Sequence, residues 1–190
     1  MSQPSSATDA PSVEEACRNL PLSDPARSLI APEMTQLGYI GALLENGYFK
    51  DLFLFAAARL PKREAVWWGC LCAWHIERPD PPPALAAAYQ AVVRWLEDPS
   101  EANRREAEAA AGAAPRQGLG TAIAQAVFYS EGSISPPGLP EVVPPRSLYI
   151  QVIANTVFLA SRLADPVVTI ERVRFFVRTG WEVLKGQNRW

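Results

Sequence analysis

Apolar residues recur along most of the chain at helical spacing, separated by signals that start or end helices. The stretch "ALAAAYQAVVRWLE" is the clearest case, with one apolar stripe formed by Leu85, Tyr89, Val92 and Leu96. Asp-Pro pairs at 24–25, 98–99 and 165–166 each combine a capping residue with a proline that suits the first helical turn. Ser12 and Glu15 have the spacing of a capping box. The pattern predicts a succession of helices.

The segment "KREAVWWGCLCAWHIE", residues 62–77, is apolar over most of its circumference when it is drawn as a helix. Two apolar faces lie about 100° apart, one with Trp67, Leu71 and Trp74 and the other with Trp68, Cys72 and His75. A helix of this kind is typical of a position where neighbours cover more than one side. We therefore predict that residues 62–77 form the central helix of the fold, with both faces buried.

No segment shows the alternation of apolar and polar residues that a strand requires, so the predicted fold class is all-α. The helical segments amount to eight or nine helices, which we expect to form a compact bundle. A short α-solenoid is the alternative because the Asp-Pro pairs recur, but their separations are unequal, which favours the bundle. Residues 1–11 are predicted to be a disordered tail, and residues 12–190 a single helical domain with a Pro-rich extended strap at 130–146.

Composition and charge argue against several classes of protein. The 190 residues are 48% hydrophobic, which is enough for one domain with a substantial core. Lys and Arg number 18 against 20 Asp and Glu, and the net charge of −2 disfavours a general binder of nucleic acid or anionic membranes. The first residues do not resemble a signal peptide, the apolar stretches are too polar or too short to span a membrane, and three cysteines suit a reducing compartment. These features predict a cytoplasmic protein that binds neither nucleic acid nor a membrane.

Residues with catalytic or metal-binding chemistry do not occur in any recognised spacing. A triad built on the one histidine, His75, would need a positioned base and nucleophile, and a zinc site would need further His or Cys ligands. Cys70 and Cys72 would point to nearly opposite sides of a helix, so we interpret them as core thiols. The sequence therefore predicts no catalytic residue, no metal site, no cofactor and no small-molecule substrate.

The stretch "SISPPGLPEVVPPR", residues 133–146, is the most unusual connection in the chain. Five of its residues are prolines: Pro136, Pro137, Pro140, Pro144 and Pro145. They forbid a helix and favour polyproline II geometry, in which these residues would extend roughly 40 Å. The strap also carries Leu139, Val142 and Val143, which a free linker would avoid. We predict that it docks on the bundle by burying these three side chains and that its proline-rich edge binds a partner protein, the alternative being a simple connection between helices.

The last helical segment carries Arg174, Arg178 and Lys185 on one side, with Trp181 between them. Guanidinium groups beside an indole ring suit an anionic partner. Arg174, Arg178 and Trp181 are therefore candidate partner-binding residues. The alternative interpretation is a solvated basic face that balances the acidic remainder of the chain.

Three stretches that follow one another in the chain, "LPKREAVWWGCLCAW", "WLEDPSEANRREAEAAA" and "AVFYSEGSISPPGLPEVVPP", resemble a bacterial family of unknown function. The shared order is a Trp-rich helix, an alanine-rich helix after Asp-Pro-Ser, and a Pro-rich strap. The resemblance covers residues 17–186 and implies an association with gene neighbourhoods of type VI secretion, in an accessory or adaptor role without known catalytic residues.

Together these observations predict a non-enzymatic cytoplasmic interaction or accessory protein that has a protein partner and no cofactor. The alternative is a small enzyme or ligand-binding helical domain, in which Trp67, Trp68, Trp74 and Trp95 line a pocket together with His75.

Overall fold

Helices account for all the regular structure in the described part of the chain, which in the computed structural model is residues 11–136, 138–163 and 166–189, apart from the side chains of 166–168. Ten helices follow one another along it: α1 (Val13–Cys17), α2 (Asp24–Arg27), α3 (Gln36–Glu45), α4 (Phe49–Arg59), α5 (Lys62–Glu77), α6 (Pro83–Glu97), α7 (Glu101–Ala113), α8 (Leu119–Tyr129), α9 (Ser147–Arg162) and α10 (Pro166–Leu184). The all-α class is confirmed, with more helices than the eight or nine predicted. Residues 1–10 of the predicted tail lie outside the described residues.

Two helices are capped by serine residues instead of the predicted aspartates. The N-cap residue of α2 is Ser23, which precedes Asp24 by one residue. The N-cap residue of α7 is Ser100, which follows Asp98 by two residues. Each serine hydroxyl accepts a hydrogen bond from the amide three residues later, at 3.3 and 3.4 Å. The Asp-Pro pairs therefore mark the start of a helix to within two residues but do not identify the cap. The third predicted cap, Asp165, lies outside the described residues.

Helix α5 has the predicted bounds and lies in the middle of a compact bundle. It packs against α8, α9 and α10, and less extensively against α6. Trp68 and Cys72, on one of the two predicted faces, are fully buried. The indole Nε1 of Trp68 donates a 2.8 Å hydrogen bond to the carbonyl oxygen of Phe176 in α10. Helix α9 is central as well, because it contacts α4, α5, α8 and α10, and this arrangement confirms the bundle over the solenoid.

The second predicted face of α5 is not part of the core. Trp67 and Leu71 are half-buried, and 37% of the surface of Trp74 is exposed. Helix α6 buries its predicted stripe, but it packs mainly against α7 and α8 and covers this face of α5 only in part. The prediction that both faces are buried is therefore wrong for Trp67, Leu71 and Trp74.

Two glycines allow helices of the core to approach closely. A Cβ atom at Gly69 of α5 would lie 2.8 Å from Cδ1 of Ile123 in α8 and 3.0 Å from Cγ2 of Ile153 in α9. A Cβ atom at Gly180 of α10 would lie 3.1 Å from Nε1 of Trp68. These distances are shorter than ordinary van der Waals contacts. The packing of α5 against α8, α9 and α10 thus depends on residues without side chains.

Helices α3 and α10 both pack against α4 but make few contacts with each other. The buried side of α3 carries Tyr39 and Leu43, and the hydroxyl of Tyr39 donates a 2.9 Å hydrogen bond to the carbonyl oxygen of Ala26 in α2. Because α3 and α10 diverge over α4, an open groove lies between them.

Candidate functional site

The groove between α3 and α10, called the α3–α10 groove below, is a mostly apolar depression of about 440 Å³ with α4 at its floor. Its apolar walls are formed by Leu37, Ile40 and Leu44 of α3 and by Val177, Trp181 and Leu184 of α10. Leu37, Trp181 and Leu184 have 57%, 40% and 45% of their surface exposed. The residues of each wall recur at helical spacing. Two apolar helical stripes therefore face an open channel.

Among the described residues, every charged side chain that lines the α3–α10 groove is an arginine: Arg59 of α4 and Arg174 and Arg178 of α10. Arg59 Nε donates a 3.0 Å hydrogen bond to Oε1 of Gln36. Arg178 is largely exposed, and its Nε lies 3.8 Å from Oε1 of Glu182. Guanidinium groups are suited to paired hydrogen bonds with carboxylates. The groove thus combines an apolar interior with a positively charged rim.

The three residues of the last helix that the sequence singled out, Arg174, Arg178 and Trp181, all line this groove. Lys185 lies just beyond it, with Nζ 4.9 Å from the centre of a Trp181 ring. The arginines are solvated, as the alternative interpretation held, but they border an exposed apolar surface. The structure therefore assembles one part of the predicted partner-binding set.

The strap forms a closed loop. The prediction that it is an extended segment is wrong. The amide of Ile134 donates a 2.9 Å hydrogen bond to the carbonyl oxygen of Val142, and the amide of Val142 donates a 3.1 Å bond to Oγ of Ser133. Between these residues the chain reverses direction, with Gly138 at φ +85°, a conformation that favours glycine. A loop closed in this way cannot span the distance that an open polyproline segment would.

The three apolar side chains of the strap that were predicted to be buried are not docked on the bundle. Leu139, Val142 and Val143 have 61%, 52% and 68% of their surface exposed. The prediction that these three side chains are buried is therefore wrong. Polar contacts at the base of the loop, and not apolar ones, hold the strap in place. The predicted Pro136 and Pro140 are exposed as well, and Pro137 lies outside the described residues.

Arg104 of α7 is the residue that anchors the base of the strap. Its side chain is fully buried, and it donates hydrogen bonds to the carbonyl oxygens of Phe128 (Nη1, 2.6 Å) and Ser133 (Nη2, 2.9 Å). The Glu101 carboxylate accepts two more from Arg104, at 2.6 and 2.7 Å. A buried guanidinium with all three nitrogens hydrogen-bonded in this way ties α7, the end of α8 and the strap together.

Arg105 makes a second, more exposed attachment to the same loop. Its Nη2 donates to the carbonyl oxygens of Ser133 and Ser135, at 2.8 and 2.9 Å. The hydrogen bond from Arg104 is the main cause that lowers the pKa of Glu101 to about 2, and Arg105 acts in the same direction, whereas burial opposes the change. The carboxylate therefore remains ionised and pairs with both arginines.

Arg104 is not among the residues that the sequence pointed to. The buried residues of α7 are Arg104, Ala107 and Ala111, at spacings of three and four. This helical stripe was visible in the sequence and is the signal that could have identified the arginine as inward-facing.

His75 is half-buried against α10. Its ring centre lies 4.7 Å from that of Phe175 and 6.0 Å from that of Phe176. Burial lowers the pKa of His75, and the charges of Arg78 and Arg172 add to the effect. The imidazole is therefore a packed, mostly neutral ring at neutral pH.

Of the four tryptophans expected to line one pocket with His75, only Trp74 does so, in a depression of about 340 Å³ between α5 and α10. Trp68 and Trp95 are fully buried in the core. Trp67 and Trp74 line a groove to which His75 does not contribute. The side chains of successive residues on a helix diverge, so Trp67, Trp68 and His75 of α5 do not line a common pocket.

The groove with Trp67 and Trp74 lies between α5 and α6 and is called the α5–α6 groove below. It is an open apolar depression of about 480 Å³ whose other lining residues include Leu71, Tyr89 and Val93, with Arg94 as its charged member. The rings of Trp74 and Tyr89 meet edge to face, with their centres 5.1 Å apart. The groove is open because α6 covers this face of α5 only in part.

Glu77, at the end of α5, is the polar anchor beside this groove. Its carboxylate accepts hydrogen bonds from the Tyr89 hydroxyl at 2.6 Å and from the amides of Leu119 and Gly120 at 2.7 and 3.1 Å. Burial and then the bond to Glu77 raise the pKa of Tyr89. The carboxylate therefore fixes Tyr89 and the first turn of α8 in one contact, where it also complements the helix dipole.

The cysteines have the structural role predicted for them. Cys70 and Cys72 are buried free thiols, and burial raises the pKa of Cys70 to about 12 and that of Cys72 well above its usual value. They are therefore not thiolate nucleophiles at neutral pH. Within the described residues no group of three or more His, Cys, Asp or Glu side chains could hold a metal ion.

None of the described helices has the length and apolar character needed to cross a membrane. Neither a curated protein nor a solved structure matches the chain. A family model does match it, over residues 39–184, from within α3 to the end of α10 and including the whole strap. The predicted resemblance to a family of unknown function is confirmed in that respect, and the chain belongs to DUF6931, a family of unknown function.

Proposed function

We propose that the protein is a non-enzymatic cytoplasmic accessory or adaptor protein that binds an acidic amphipathic helix of a partner protein in the α3–α10 groove. The observation that supports this function best is the combination, in one groove, of two exposed apolar stripes with three arginines as the charged lining residues. An amphipathic helix with a complementary charge is the ligand that such a groove fits.

The spacing of the groove residues defines the apolar face of the partner. On α10, Val177, Trp181 and Leu184 lie four and three residues apart, and Ile170, which is 47% exposed, precedes Val177 by one heptad. From Ile170 to Leu184 the stripe is about 21 Å long at the helical rise. A partner helix of about four turns, with apolar residues at alternating spacings of three and four, would cover it.

The charge of the rim defines the flank of the partner helix. Arg174 and Arg178 are four residues apart on α10, so two carboxylates four residues apart on the partner would face both of them. A second copy of this chain is a poorer occupant, because a twofold contact through the groove would bring the same arginines of the two copies together. A partner with acidic residues beside its apolar stripe fits both features.

The cellular part of the proposal is a role in type VI secretion, which rests on the resemblance described in the sequence analysis. In this setting the partner helix belongs to a component or accessory protein of the secretion system. We test this part by deleting the gene in a host that carries such a system and measuring effector secretion, with complementation by wild type and by Trp181→Ala. Secretion that is unchanged by the deletion would refute the type VI link and leave the groove assignment intact.

Binding in the groove is tested with synthetic peptides and fluorescence polarisation. The probe is a labelled helical peptide of about 18 residues with leucines at the spacing above and glutamates on the flank, and the matched peptide has lysines in place of the glutamates. We expect only the glutamate peptide to bind, and Trp181→Ala to weaken its binding by at least about tenfold, as for a central aromatic contact. Arg174→Glu with Arg178→Glu should abolish binding.

The control variant is Trp74→Ala, which changes an equally exposed tryptophan in the α5–α6 groove and should leave the affinity unchanged. Circular dichroism melting curves verify that each variant is folded. Equal affinity for the two peptides would contradict the role of the arginines. Failure of both peptides to bind would contradict the groove assignment.

A further inference from the structure

The distal part of the strap, residues 139–145, is an ordered apolar segment that faces away from its own bundle. Leu139, Val142 and Val143 fall within five residues and are each more than half exposed. Single exposed apolar side chains are common, but three in a short non-helical segment form a small contact surface. The surrounding prolines restrict the backbone to extended conformations.

The base of the loop holds this segment in position. Val142 is bonded through its backbone to Ile134 and Ser133, and the Ser133 carbonyl oxygen is bonded to Arg104 and Arg105. A segment restricted in this way loses little conformational entropy when it binds a partner. The strap therefore has the properties of a preorganised ligand.

The α5–α6 groove has the properties of a receptor for such a segment. Proline-rich extended segments bind in grooves lined by tryptophan and tyrosine, and this groove is lined by Trp67, Trp74 and Tyr89. Along α5 the distance from Trp67 to Trp74 is about 10 Å at 1.5 Å per residue. Three or four residues of polyproline II, at about 3.1 Å each, match that length.

We propose that the strap of one copy, residues 139–145, binds in the α5–α6 groove of a second copy. None of the described strap residues lines this groove in its own chain, and the base of the strap is fixed on α7, so the contact is between molecules. The acidic residue of the segment, Glu141, is adjacent in sequence to Val142, and the charged residue that lines the groove is Arg94. Arg94 already donates a 3.0 Å hydrogen bond to Glu106 through Nε, so Glu141 would bind its remaining donors, and the aromatic lining supplies the main part of the contact.

The contact joins two different surfaces, so each copy offers one strap and one groove. Such a heterologous contact produces a ring if the rotation between copies closes, and a linear chain of copies if it does not. The proposal concerns a different surface from the α3–α10 groove and does not depend on the binding of an acidic helix there.

The test uses sedimentation velocity on the full chain and two variants. The strap variant carries Leu139→Ser, Val142→Ser and Val143→Ser, all at exposed positions, and the groove variant carries Trp74→Ala. We expect wild type to assemble with increasing concentration and each variant alone to remain monomeric. An equimolar mixture of the two should form a dimer that grows no further, because only one intact strap and one intact groove remain. Leu37→Ser, in the α3–α10 groove, is the control and should assemble as wild type does.

A second measurement uses a synthetic peptide of residues 133–146 added to the strap variant. Tryptophan emission should change on binding, and the same addition to a protein that also carries Trp74→Ala should give no change. Wild type that remains monomeric up to about 1 mM would overturn the proposal. Assembly that persists in either variant would overturn it as well. A monomeric wild type whose strap variant binds the peptide would reassign the groove to a proline-rich segment of another protein.

Discussion

Replacing Arg104 by methionine is expected to lower the free energy of unfolding by about 2 to 4 kcal/mol, because a buried guanidinium is lost and a buried carbonyl oxygen is left without its donor. Methionine keeps an unbranched side chain, so the effect arises mainly from loss of the guanidinium. The substitution removes hydrogen bonds to the Glu101 carboxylate and to the carbonyl oxygens of Phe128 and Ser133.

The contributions are unequal because the acceptors differ in exposure. The Glu101 side chain is 60% exposed, so hydrogen bonds from water replace most of those that its carboxylate loses. The carbonyl of Phe128 loses its charged donor in a buried environment, which costs about 1 to 3 kcal/mol, and that of Ser133 loses less because Arg105 still donates to it. The cation–π contact of Arg104 with the Phe128 ring, at 4.9 Å, adds about 1 kcal/mol.

Urea unfolding followed by circular dichroism measures the change, with Arg105→Met as the matched control. The Arg105 side chain is 25% exposed and bonds to the same loop, so its loss should cost about 1 kcal/mol or less. Limited proteolysis should show faster cleavage of the strap in Arg104→Met than in the control. The reasoning is refuted if the two variants unfold at the same urea concentration, or if Arg104→Met is as stable as wild type.

Three further predictions address the core, an anchor and the histidine. Trp68→Ala should lower the free energy of unfolding by about 3 to 5 kcal/mol and Trp74→Ala by about 1 kcal/mol, because only the first indole is fully buried; equal urea midpoints would contradict this. Glu77→Gln should lower the free energy of unfolding by about 2 kcal/mol, since an amide offers only one acceptor oxygen to three donors. Glu97→Gln, at an exposed site, should leave the free energy of unfolding unchanged, and thermal melts of both variants measure the difference. The pKa of His75 is lowered in the folded state, so the unfolded state binds more protons below about pH 6.5, and stability should fall as the pH drops from there through the folded pKa. An NMR titration of His75 with a normal midpoint, or an equally steep loss of stability in His75→Gln, would contradict that assignment.

Signals that depend on adjacent turns of one helix were sufficient to predict much of the fold. The bounds of α5, Lys62–Glu77, follow from the proline before it and the proline-rich break after it. The capping box of Ser12 with Glu15 forms as predicted, with both reciprocal hydrogen bonds. The single stripe of α6 is buried throughout. In each case a local pattern and the tertiary environment favour the same structure.

The features that sequence reasoning did not find depend on how separate helices lie against one another. Trp74 is as apolar as Trp68, and its exposure is decided by the direction of α6 after the proline-rich break. The leucine and valines of the strap favour a prediction that apolar contacts hold it on the bundle. The residue that holds it is instead Arg104, a polar residue on another helix. Arg174, Arg178 and Trp181 lie together in the α3–α10 groove because they share one face of one helix.

The close contacts at Gly69 and Gly180 place a constraint on how this sequence can vary. An alanine at position 180 would meet the indole of Trp68, and an alanine at position 69 would meet Ile123 and Ile153. Each glycine and the large side chain opposite it fill one shared volume, so a larger residue on one side requires a smaller one on the other. Among family members these positions should covary as pairs, 180 with 68 and 69 with 123 or 153. A member with alanine at 180 and tryptophan retained at 68 would have to separate α5 from α10, and its α3–α10 groove, which contains both residues, would differ in width.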